Sequence, residues 1–70
     1  MRYTEFRDIV RAALGRNRNG LTWIELRDRC DLPYDRPCPS WVAQLEVEIG
    51  LERVKGEGRA LVWKVKPSKG

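Results

Sequence analysis

Leu51-Glu52-Arg53-Val54-Lys55-Gly56-Glu57-Gly58-Arg59-Ala60-Leu61-Val62-Trp63-Lys64-Val65-Lys66 is the stretch that decides the fold. In it the apolar residues change to a period of two: Leu61, Trp63 and Val65 alternate with Val62, Lys64 and Lys66. That alternation belongs to a strand with one buried face. Leu51 to Val54 supplies a second strand, and Lys55-Gly56-Glu57-Gly58-Arg59 is a glycine-bearing connection between the two. The reading is a C-terminal β-hairpin with Trp63 as its largest core contributor.

Upstream of Leu51 the period is helical. Trp41, Val42, Leu45 and Ile49 form one stripe of a helix predicted over 38–49, which opens on Pro37 or Pro39 and closes at Gly50. Its other side carries Ser40, Ala43, Gln44 and Val47. Thr22-Trp23-Ile24-Glu25 fits a capping box, so a second helix is expected from Thr22 to Cys30 or Asp31, ending because Leu32 precedes Pro33. Phe6, Ile9, Val10, Ala13 and Leu14 place a first helix over about 4–15, with Thr4 as N-cap and Gly15 as its left-handed terminator. Arg16-Asn17-Arg18-Asn19-Gly20 is then a polar connection, and Leu21 a short strand. The expectation is one α+β domain over 1–66, a three-helix bundle with a C-terminal hairpin, followed by a frayed tail over 67–70.

Seventy residues suffice for one small domain and leave no room for a second. Hydrophobic residues at 41% and charged residues at 34% fit a folded chain better than a disordered one. No apolar run is long enough to span a bilayer or to form a secretory leader after Met1, so a soluble, cytoplasmic protein is expected. With no histidine and two cysteines, Cys30 and Cys38, a structural zinc site is not expected, and two reduced thiols are. No cofactor, metal or small-molecule substrate is implied, and there is no nucleophile paired with a base and no phosphate-cradling glycine loop between a strand and a helix. The acids Glu25, Asp28, Asp31 and Asp35, with Arg27 and Arg29 interposed, read as solvated ion pairs.

The formal charge is +4, and its placement is uneven. Residues 1–35 hold seven Arg against six acids, whereas residues 53–69 hold six cations against Glu57 alone. A basic end favours a polyanionic partner.

Three helices with a tight connection between the second and third, closed by a basic hairpin, resemble the winged helix-turn-helix family of DNA-binding domains. The resemblance rests on Leu21-Thr22-Trp23-Ile24-Glu25-Leu26, on Leu45-Glu46-Val47-Glu48-Ile49-Gly50-Leu51-Glu52-Arg53 and on Gly58-Arg59-Ala60-Leu61-Val62-Trp63-Lys64-Val65, and covers roughly residues 4–66. It implies a small regulator that places its third helix in the major groove of double-stranded DNA and its hairpin, the wing, on phosphates or in the minor groove. Carried onto this sequence, the helix-three readers are Ser40, Ala43, Gln44 and Val47, with Arg36 approaching from the preceding turn. The wing contacts are Lys55 and Arg59, extended by Lys64 and Lys66. Gln44 is the candidate for a bidentate adenine contact. Two copies in a homodimer would suit a two-fold symmetric site. From Cys38 to Leu51 there is no Lys or Arg, while Glu46 and Glu48 are negative. That acidity motivates an alternative expectation, a protein-interaction module within a larger assembly.

Overall fold

The computed structural model describes residues 1–56, 58 and 60–65. They form an α+β fold with the element order α1 (Tyr3–Arg16), β1 (Leu21–Thr22), α2 (Trp23–Cys30), α3 (Pro39–Glu48), β2 (Leu51–Lys55) and β3 (Leu61–Val65). The strands make one antiparallel sheet in the order β1-β3-β2. Leu21 pairs with Trp63 and Thr22 with Val62 on one side of β3, and Leu51 through Lys55 pair with Val65 back to Leu61 on the other. The hairpin is as expected. The tail over 67–70 lies outside the described residues.

Two helix ends differ from expectation. At the start of α1, Arg2 rather than Thr4 stands at the N-cap position and makes no side-chain cap. At its end the helix runs through Gly15 to Arg16, and Asn17 takes over. The Asn17 amide donates to Leu14 O, and its side-chain Nδ2 donates to Ala13 O at 2.8 Å. A side chain that satisfies the open carbonyls removes the need for a left-handed glycine at position 15.

The capping box of α2 forms as read. The Glu25 amide donates to Thr22 Oγ1 at 3.3 Å, and the Thr22 amide donates to Glu25 Oε1 at 3.0 Å. The helix stops through Asp31, which adopts the left-handed conformation (φ 52) and lets the Leu32 amide reach back to Arg27 O. Leu32 is thereby turned into the core, so the stop is a left-handed cap sealed by an apolar contact rather than an effect of Pro33 alone. Pro39 occupies the first turn of α3, and Gly50 (φ 69) closes that helix and turns the chain into β2.

The core draws Phe6, Val10 and Leu14 from α1, Leu26 from α2, Val42 and Leu45 from α3, and Leu21, Leu51 and Trp63 from the sheet, with Leu32 beside them. An aromatic cluster extends it: Phe6 lies 5.1 Å from Trp41 and 6.1 Å from Tyr34, and Trp23 packs 5.3 Å from Trp63. Leu61, expected on the buried face, is 40% exposed because the hairpin runs past the core at its connection. Among the described residues no helix is long and apolar enough to cross a membrane.

Candidate nucleic-acid interface

A proline-started helix leaves the face opposite Val42 and Leu45 to solvent, and on it Ser40, Ala43, Gln44 and Val47 are all exposed. Their spacing of three, four and seven residues puts them on one strip. Val47 is 86% exposed. Arg36 is exposed in the turn that precedes the helix. The four helical candidates therefore share a face, as read from the sequence.

Gln44 is already engaged. Its Nε2 donates to Glu48 Oε2 at 2.8 Å, and Glu48 Oε1 accepts from Arg7 Nη1 of α1 at 2.8 Å. To pair with an adenine edge through both its amide nitrogen and its oxygen, Gln44 must first release Glu48. Its spacing of four from Glu48 is visible in the sequence, whereas Arg7, 41 residues away from Glu48, is not. The Arg7 guanidinium first and the Gln44 amide second hold the Glu48 carboxyl below the usual carboxylate range. Beside them the Tyr3 hydroxyl is shielded from solvent and faces the Glu48 carboxylate. Burial first, then the Glu48 charge, pushes that phenol up.

A depressed carboxyl stabilises the fold above its unfolded-state pKa, and that contribution is lost as pH falls through the folded value. The stability difference between the wild type and Glu48→Gln is accordingly expected to be largest near neutrality and to shrink as pH falls below the ordinary carboxylate range and through the depressed folded value. Urea titrations across that interval read it, and a constant difference would contradict the Arg7–Glu48–Gln44 link.

In the hairpin, Lys55 is exposed at the distal end of β2 and pairs with Leu61. Lys64 pairs with Glu52. Residues alternate faces along a strand, so Lys55 lies on the face of Trp63 while Lys64 lies on the opposite one. The single positive strip expected from Lys55 through Lys64 is thus divided between the two faces of the sheet. Arg59 and Lys66 lie outside the described residues. A Cβ at Gly56 would lie 2.7 Å from Val62 Cγ2, so packing against β3 favours a glycine there. Gly58 is open, with nothing within 4 Å of such a Cβ. Arg53, absent from the sequence-derived set, holds its guanidinium 5.9 Å from the Trp63 ring centroid. The cross-strand pair Arg53–Trp63 depends on the hairpin register, which spacing along the sequence does not fix.

Comparison with known proteins finds no matching family model, no similar curated protein and no similar solved structure. The chain's own geometry therefore carries the functional argument.

Both cysteines are free thiols. Burial pushes Cys30 up. Cys38 is exposed at the N-cap position of α3, where Ser40, its hydroxyl 3.2 Å from Sγ, and the Trp41 amide hold the thiol below its ordinary value. Cys38 borders a cavity of about 300 Å³ lined also by Met1, Phe6, Tyr34, Pro37 and Trp41. Among the described residues no group of three or more His, Cys, Asp or Glu side chains is placed to hold a metal ion.

Proposed function

We propose that the chain is a small winged-helix protein that binds duplex DNA, with α3 presented to the major groove and the β2–β3 hairpin serving as the wing. The observation that carries this reading is the order of elements. A two-residue β1 sits between α1 and α2 and pairs with β3, and α3 passes through Gly50 directly into the hairpin. That order suits a helix and a hairpin acting on one ligand. The basic balance of residues 53–69 suits a polyanion. The exposed strip of Ser40, Ala43, Gln44 and Val47 offers a hydroxyl, a carboxamide and two apolar contacts for base edges and thymine methyls. The role is that of a binding module and regulator, not an enzyme.

Titration with random-sequence duplex at two salt concentrations tests it. Counterion release from four to six phosphates gives a slope of about −3 to −6 in log K against log salt. Raising salt from about 50 to 200 mM then weakens binding by about 60-fold at the shallow end and about 4,000-fold at the steep end. Lys55→Ala is expected to weaken binding to every sequence, and Gln44→Ala to relax base preference. Absence of binding at low salt, or binding indifferent to salt, would refute the proposal.

The exposure of Val47, with Glu46 and Glu48 on either side and no cation on α3, favours a second reading, a protein-interaction module. An exposed aliphatic flanked by carboxylates fits a protein groove better than a phosphate backbone. Amide shifts on adding duplex that avoid both Ser40–Gln44 and the hairpin would favour this second reading.

A further inference from the structure

The connection between α1 and β1 is not a loose loop. Its Asn17 is tied at three points: Nδ2 donates to Ala13 O at 2.8 Å, the backbone carbonyl accepts from the Gly20 amide at 2.8 Å, and Oδ1 accepts from Arg29 Nη1 of α2 at 3.2 Å. Gly20, at φ +88, lies under β3, where a Cβ would stand 2.7 Å from Lys64 Cγ, so the aliphatic stem of Lys64 covers it. Four cations are thereby gathered at one turn. Arg16 and Arg18 belong to it and are exposed, Arg29 is bonded to it, and Lys64 lies across it. Two carboxylates stand beside these cations: Glu25, which is committed to the capping box and feels the Arg29 charge, and Glu52 opposite Lys64. Four positive charges against two leave a local surplus. Among the described residues neither Arg16 nor Arg18 has an ion-pair partner.

This turn is set apart from the hairpin tip by the sheet itself. Lys64 is three residues along β3 from Leu61, the partner of Lys55, a separation of about 10 Å at 3.3 Å per residue. The two lysines also lie on opposite faces of the sheet. A pinned turn presents its charges without first having to be ordered, which is what a phosphate contact rewards.

We propose that the α1–β1 turn is a second duplex-binding surface, on which Arg16, Arg18, Arg29 and Lys64 contact the phosphates of another stretch of DNA, so that one chain bridges two duplexes. The inference rests on the duplex-binding reading above, and its test separates the two. A labelled short duplex is offered to the protein bound on an immobilised duplex of different sequence, beside a direct titration of the same protein with one duplex. The wild type is expected to capture the labelled duplex. Arg16→Gln with Arg18→Gln is expected to lose that capture while binding a single duplex with an unchanged salt slope, because the phosphates these two residues contact belong to the other duplex. Both positions are exposed and outside the core, and circular dichroism checks that the variant is folded. Single-duplex binding without capture, or capture that survives the double substitution, overturns this inference and leaves the first reading standing. Failure of the wild type to bind any duplex overturns both.

Discussion

Trp63→Ala is expected to remove about 3–5 kcal/mol, the cost of deleting a large buried aromatic whose site cannot collapse. A chain of this length has a total stability on the order of 4–10 kcal/mol, so the variant should forfeit about a third or more of it. The effect is large because of position as well as size. Trp63 is 2% exposed on the central strand, paired with Leu21 on one side and Arg53 on the other, and its ring packs 5.3 Å from Trp23 of α2. Losing it loosens β1, β2 and α2 together. Urea denaturation measures the loss, and Leu61→Ala is the control. Leu61 is on the same face two residues earlier, is 40% exposed, and should cost no more than about 1 kcal/mol. If both variants lost equally little, Trp63 would not be the centre of the fold.

Gly20→Ala should cost about 2–5 kcal/mol from two sources. A non-glycine residue held at φ +88 is strained by about 1–2 kcal/mol. The new methyl would also meet Val62 Cγ1, Lys64 Cγ and the backbone oxygen of Trp63, the last two at 2.7 Å. A side chain can swing aside, but a strand carbonyl cannot move without shifting β1 from β3, and overpacking of that kind costs about 1–3 kcal/mol. Gly15→Ala should do the reverse. Gly15 lies inside α1 with nothing within 4 Å of a Cβ, so alanine is expected to stabilise by about 0.5–1 kcal/mol through helix propensity. Thermal melts of the two variants should therefore move in opposite directions, and a shift of the same sign would contradict the assigned backbone conformations.

The elements were legible in the sequence where their signals are local. The stripe Phe6–Leu14, the Thr22–Glu25 capping box, the Pro39 entry and Gly50 exit of α3, and the alternation around Trp63 each act within a few residues, and each forms. Errors arose where two local signals competed. Thr4 and Gly15 looked like helix ends, but Arg2 and the side chain of Asn17 are the ends that form; Pro33 looked like the stop of α2, but Asp31 turns first. The candidate site was legible only in part. Helical phase placed Ser40, Ala43, Gln44 and Val47 on one face, since that needs nothing beyond the helix itself. Which face of the sheet Lys55 occupies depends on the register across the connection, and which partner Glu48 finds depends on how α1 packs against α3. Neither is encoded within a window of a few residues.

Among the described residues, the strand order places β2 at the rim of the sheet, paired on one side with β3. A copy of the same strand docking there with two-fold symmetry about its midpoint would set Arg53 directly against its own image, and Glu52 against Val54. Like charges face to face repel such an annealing, so the five residues Leu51–Lys55 deter the stacking of one sheet onto the next. A neutral residue at position 53 would remove that guard, and edge-to-edge pairing of two copies at high protein concentration is the hazard it would invite.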